Sequence, residues 1–340
     1  TALHSLSAWG YDPTANSLIY ASNYAALYGG IGMLLIGSSL HIMPRLADTK
    51  LASERNATLV SFLWTLSVLV LVVAAHDSEI LGVNIFLIGT GMHVLGFIAI
   101  VINLLLTISE RQRTLPIPGW LIIMGMLADP ISTAATIITG SIQVGAGQWL
   151  LAHMIGGTFF FATAAGVALY VSSSASGNPL WSRSLGAATL VGALATINPI
   201  GDSNGMMAAD MLGVTFEQLQ PSSQDSIVMA FLMALAMIPI MALAANVMMT
   251  LRGGDAFIEN PDSAGIAELN LGASMLLPLA IASLFVQSDA LAAAPELSGM
   301  APTLLLMGIW LVLVPISLGA ALHLFPLVTG RNLLSRNRAR

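Results

Sequence analysis

Six histidines, 17 carboxylates and no cysteine are the side chains in this sequence able to ligate a metal strongly or move a proton. Without thiols there are no disulfides, iron–sulfur clusters or thiolate zinc sites, which leaves imidazole, thioether, carboxylate and backbone donors. Three ionisable residues fall deep within long apolar runs: His93 in GTGMHVLGF, Asp129 directly before Pro130, and His153 in QWLLAHMIGG. His41, His76 and His323 lie nearer the ends of such runs. An ionisable side chain at bilayer depth costs about 2.5–3.5 kcal/mol on insertion scales, so each deep one is a functional candidate by default. His93 sits among small residues that admit a ring or a neighbouring helix; its plainer reading is a neutral imidazole bonded across a helix interface. Asp129 is a proton-path candidate, because Pro130 frees a backbone carbonyl and can kink the helix. Its plainer reading is an acid hydrogen-bonded at that kink. No two histidines share a run at ligand spacing, so a His-x-x-x-His metal pair and a four-helix cytochrome b arrangement have no support.

The elements that must hold these residues follow from composition. Of 340 residues, 56% are apolar and 8% charged, with mean hydropathy +0.85; a soluble domain carries about 25% charged residues. A soluble globular enzyme is thereby excluded. A net charge of -6, with no basic stretch before the last ten residues, also argues against a nucleic-acid partner. Crossing a bilayer takes about 20 mostly apolar residues in a helix. Nine runs meet that test: 19–43, 57–75, 81–107, 117–140, 146–172, 184–201, 226–250, 267–287 and 302–327. They are continuous apolar runs and not ten-residue alternations, which excludes a membrane β-barrel. The expectation is an all-α integral membrane protein: an N-terminal segment 1–18, a transmembrane helical domain 19–328 and a basic tail 329–340. A chain opening on Thr1 is also expected to follow a cleaved or further segment.

Charge supplies the orientation, because Lys and Arg concentrate in cytoplasmic loops. Arg45, Lys50 and Arg55 follow the first run, Arg111 and Arg113 the third, Arg183 the fifth, Arg252 the seventh, and Arg331, Arg336, Arg338 and Arg340 the ninth. With nine crossings, all 11 basic residues fall on one side. The opposite loops carry only acids, among them Asp12, Asp77, Glu79, Asp202 and Glu296. The expected arrangement has the N-terminus outside and the C-terminus cytoplasmic, in a bacterial inner membrane. Asn103, Asn198 and Asn246 are expected to bridge helices by hydrogen bonds.

Four segments resemble the large catalytic subunit of the heme-copper oxidase superfamily, closest to cbb-type oxidases and nitric oxide reductases. QWLLAHMIGGTFFFATAAGVALYV is similar to that group's sixth helix, with its W-x-x-G-H-N-A-V-G-F-F pattern, and puts His153 at a copper-ligand position. IPIMALAANVMMTLRGG resembles the eighth helix, SLGAALHLFPLVTGR the end of the tenth, and SSLHIMPRL the exit of the second. The resemblance runs from about residue 20 to 332 and implies that the nine runs correspond to family helices two through ten.

The family's chemistry uses two hemes and a copper held by six histidines. In this register Leu304 and Leu306 stand where the tenth helix carries His-x-His. Ser22, Asn23 and Tyr24 stand at the low-spin heme position, and Asn198-Pro199 at the copper pair. The resemblance therefore implies a degenerate relative: a non-catalytic structural or accessory subunit of a larger membrane electron-transfer complex. It would have no resident cofactor, other integral membrane subunits and lipids as partners, and Trp149, Phe159, Phe160, Phe161, Leu304, Leu306 and Trp310 filling the former heme space. One alternative is an active oxidase or nitric oxide reductase subunit binding heme b through His153 and His93. A second is a transporter of protons or a small solute past Asp129 and His153.

Overall fold

The computed structural model describes residues 21–22, 24–77, 79–139, 157–195, 223–253, 265–286 and 301–330. Among the described residues there are nine helices and one two-stranded hairpin. In chain order these are α1 (Tyr24–Ala47), α2 (Glu54–Ala74), β1 (Glu79–Ile80), β2 (Val83–Asn84), α3 (Ile85–Ser109), α4 (Ile117–Thr139), α5 (Gly157–Ser176), α6 (Arg183–Ala195), α7 (Ser223–Thr250), α8 (Ile266–Val286) and α9 (Ala301–Thr329). Five are long and apolar enough to cross a membrane: α1, α2, α3, α5 over Thr158–Ser176, and α9 over Trp310–Thr329. The chain is a mostly helical integral membrane protein.

The helices fall on the apolar runs of the sequence, with two instructive shifts. The first run ends at 43, yet α1 continues through Pro44 to Ala47. A proline one turn from the end removes only one ladder donor. The stop is set instead by Asp48, which turns left-handed at φ 55°, while the N–H groups of Asp48 and Thr49 both reach the Pro44 carbonyl. The third run begins at 81, but residues 79–84 form the hairpin, with Ile80 paired to Val83. Leu81 and Gly82 both take positive φ, 54° and 77°. Two left-handed central residues are the requirement of a type I′ turn, whose twist matches that of the strands.

The chain divides into two compact units, Thr1–Thr114 and Leu115–Arg340. In the first, α2 packs along α3, and α1 packs on both. In the second, α4 packs on α5, α6 on α7 and α8 on α9. Lipid is as apolar as leucine, so helices associate in a membrane through close van der Waals contact and hydrogen bonds. Gly125 of α4 gives the clearest close approach: a Cβ there would lie 2.1 Å from Thr163 Oγ1 and 2.8 Å from Thr163 N on α5. Phe159, Phe160 and Phe161 of α5 are almost fully buried in this unit.

The same polar clasp appears once in each unit. In the first, Asn103 Oδ1 accepts from Ser53 N at 3.0 Å while Asn103 Nδ2 donates to Ser53 O at 2.8 Å. One turn on, Thr107 Oγ1 accepts from Ala52 N at 3.0 Å and donates to the Asn103 carbonyl at 2.7 Å. In the second, Asn246 binds Ser182 N and O at 3.0 and 2.9 Å, and Thr250 Oγ1 accepts from Trp181 N at 3.1 Å. Ser53 and Ser182 each cap the helix that follows, accepting from Asn56 N and Leu185 N. Asn103 and Asn246 therefore hold a helix N-terminus against a helix C-terminus, at one end of α2–α3 and of α6–α7.

Candidate functional site

His93 lies at the centre of an aromatic seam in the first unit, and three helices bring its neighbours there. In α1, Tyr24–Gly32 is π-helical, a spacing that appears where local structure departs from the ordinary ladder. Tyr24 and Tyr28 lie one turn apart there, with ring centroids 6.1 Å apart. The α-helical spacing resumes at Met33, and the Trp64 indole of α2 donates from Nε1 to Tyr28 O at 2.9 Å. Trp64 is completely buried. Gly32 and Gly96 stand beside it: a Cβ at either would lie 3.4 or 3.7 Å from the indole, ordinary van der Waals contact.

His93 of α3 packs on this tryptophan with centroids 4.4 Å apart and 38° between planes. Tyr28 meets the imidazole edge-on at 4.8 Å, and Phe97, one turn along α3, does so at 5.1 Å. Ring pairs at these distances and tilts are worth about 0.5–1.5 kcal/mol each beyond the area they bury. The imidazole is 6% exposed. Thr90, one turn earlier on α3, is also buried, and its hydroxyl has no hydrogen-bond partner among the described residues. The seam thus packs three aromatic rings against His93, an arrangement suited to shape-specific packing of three helices.

The other candidates lie on other elements or outside the described residues. Asp129 lies on α4 immediately before Pro130, and its side chain is outside the described residues. His153 is outside them altogether, as are Trp149 and Asn198. Leu304 and Leu306 lie on α9, with side chains outside the described set. His41 Nδ1 lies 2.9 Å from Arg45 Nη1 one turn along α1, and His323 Nε2 lies 3.0 Å from Ser174 Oγ, joining α9 to α5. Among the described residues no three His, Asp or Glu side chains come together as a metal site requires. The sequence singles out His93 but not Tyr28, Trp64 and Phe97. The signal it does carry is the pair of i, i+4 ring couples, Tyr24/Tyr28 and His93/Phe97, inside apolar runs.

No protein-family model matches the chain, and no curated protein matches it.

Proposed function

We propose that this protein is a non-catalytic structural or accessory subunit with a heme-copper-oxidase-like arrangement of nine crossings, associated with a larger membrane electron-transfer complex. Its N-terminus is outside and its C-terminus cytoplasmic. The observation that carries this reading is the packing of His93. Three rings lie 4.4–5.1 Å from the imidazole, so the space beside it where a macrocycle would have to lie is taken by Tyr28, Trp64 and Phe97.

The donor set supports the same reading. Leucine cannot ligate iron, and Leu304 and Leu306 occupy the register of the family's paired histidines. His153 alone stands at a copper-ligand position, and one imidazole does not hold copper in a working geometry. The residues present therefore do not fit two hemes and a copper, and no reaction step is assigned to them.

An optical spectrum of the purified chain, oxidised and reduced, with metal analysis alongside, tests the proposal. The expected result is no heme absorption and copper well below one equivalent. Heme near one equivalent overturns it and makes His153 and His93 the first residues to substitute.

A further inference from the structure

We infer that the groove between α4 and α6 is a binding site for an anionic glycerophospholipid, with one acyl chain in the groove and the phosphate at Arg183. This deepens the proposed reading, since it rests on α4 and α6 both crossing the bilayer.

The groove has a volume of about 540 Å³ and is walled by Trp120, Met124, Leu127 and Ile131 of α4 and by Leu190 and Leu194 of α6. The Thr158 hydroxyl of α5, which also lines it, already donates to Ala193 O at 3.3 Å. The lining thus suits a hydrocarbon chain. From Trp120 to Ile131 the wall runs about 16 Å at 1.5 Å per residue, close to half of a bilayer core of about 30 Å. That is the depth of one leaflet. The groove also opens sideways, because Trp120, Ile131 and Leu194 are each about half exposed.

The position of Arg183 identifies the headgroup. Gly125 lies against Phe159 and Thr163 of α5, and Gly166 against Pro118 and Ile122, so α4 and α5 run antiparallel. The short loop from Ser176 to Arg183 turns the chain back, making α6 parallel to α4. Thr158 fixes the level of Ala193 on α6. Arg183 lies about 15 Å back along the helix from Ala193, level with the first turn of α4. It shares the face of Leu190 and Leu194 by the i, i+7, i+11 spacing, and it is exposed. Trp120 and Trp181, 49% and 53% exposed, sit at the same end. Tryptophan favours the headgroup level of a membrane, and a guanidinium beside it pairs with phosphate. The charge at the mouth and the apolar groove below it are those of a single anionic phospholipid.

The test uses the full chain in nanodiscs of phosphatidylcholine containing either phosphatidylglycerol or phosphatidylcholine brominated on the acyl chain. Quenching of Trp120 is read as the difference between the wild-type protein and Trp120→Phe. The brominated phosphatidylglycerol is expected to quench at roughly fivefold lower mole fraction, the preference that one basic residue gives at a membrane surface. Arg183→Gln should abolish that preference while leaving quenching by the zwitterionic lipid, and Leu190→Phe should reduce quenching by both. If Trp120→Phe or Leu190→Phe fails to fold, total tryptophan quenching in Arg183→Gln still reads the preference. Equal quenching by the two lipids overturns the anionic site and leaves the spanning reading intact. Quenching by neither overturns the crossing of α4 at Trp120 together with the site.

Discussion

Asn103 holds Ser53 by both ends of its carboxamide, at 3.0 and 2.8 Å, and Asn246 holds Ser182 in the same way at 3.0 and 2.9 Å. Each serine is the residue at which the following helix starts: its N–H has no ladder partner, while its carbonyl, which already accepts from Ala57 N or Gly186 N at 3.2 Å, takes a second bond from the carboxamide. Asn103→Leu and Asn246→Leu strip a donor and an acceptor from that point while keeping side-chain volume. Because the serine N–H is left unsatisfied while its carbonyl keeps the ladder bond, each substitution should destabilise by about 1–3 kcal/mol. Thr107→Val and Thr250→Val, which each remove one acceptor from a backbone N–H, should cost about 1 kcal/mol. Unfolding in mixed detergent and SDS measures all four. Losses below about 0.5 kcal/mol for both asparagines would show that the clasps do not close these helix ends.

The aromatic seam makes a contrasting set of predictions around one centre. Trp64→Phe keeps a ring against His93 but removes the donor to Tyr28 O, so it should cost about 1–2 kcal/mol. Trp64→Ala also opens a large cavity and should cost about 3–5 kcal/mol. His93→Phe keeps a flat ring among Tyr28, Trp64 and Phe97 and should be tolerated within about 1.5 kcal/mol. Thr90→Val replaces an unsatisfied hydroxyl with a methyl of the same shape and should be neutral or stabilising. The same unfolding titration ranks the four. A loss above about 3 kcal/mol in His93→Phe would mean that the imidazole does more than pack.

The gross architecture is readable from composition because a bilayer imposes a length on every crossing, and a soluble fold rarely carries so many long apolar runs. The turn at 79–84 is not, because its signal is a single glycine, Gly82, in a stretch whose apolar residues blend into the run that follows. Nor does hydropathy register the shift from α- to π-helical spacing in α1, which alters hydrogen-bond partners and not side-chain polarity. That Asn103 and Asn246 bridge helices follows from their place in apolar runs, but their partners do not. Each reaches across to the backbone of a capping serine some 50 to 64 residues earlier. Such long-range pairing leaves no local pattern beyond the repeated Asn-x-x-x-Thr of Asn103/Thr107 and Asn246/Thr250. For the seam, His93 stands out by the cost of burying an ionisable group, whereas Trp64 carries no such cost and reads as filler.

Glycines in these helices separate into two kinds with opposite predicted effects. A Cβ on Gly125 would sit 2.8 Å from the Thr163 nitrogen and 3.2 Å from the Phe159 carbonyl, both backbone atoms that cannot swing away. Gly125→Ala must push α4 off α5 and should cost at least about 2 kcal/mol, in the range of an overpacked core. Gly37 of α1 has nothing within 4 Å of its would-be Cβ. Gly37→Ala should therefore stabilise by about 0.5–1 kcal/mol through helix propensity alone. Comparison of the two unfolding midpoints is sufficient. A destabilised Gly37→Ala would indicate that a neighbour covers that face in the assembled protein.

The orientation can be checked directly because the chain has no cysteine to remove first. Lys50 and Leu81 flank α2, one just before its N-terminus and the other at the hairpin tip after its C-terminus. Lys50 is exposed and Leu81 is 98% exposed, so a cysteine at either position meets reagent without disturbing a contact. Leu81 holds a left-handed φ of 54° that suits asparagine or glycine better, so Leu81→Cys adds no strain that the native leucine does not already bear. With the basic loops cytoplasmic, a membrane-impermeant maleimide applied to intact cells should label Leu81→Cys. Lys50→Cys should react only after permeabilisation, and so should Arg183→Cys. Labelling of Leu81→Cys only after permeabilisation, with Lys50→Cys open from outside, would invert the topology while keeping α2 as a crossing. Equal labelling of the two in intact cells would remove α2 from the membrane altogether and break the alternation that places every Lys and Arg on one side.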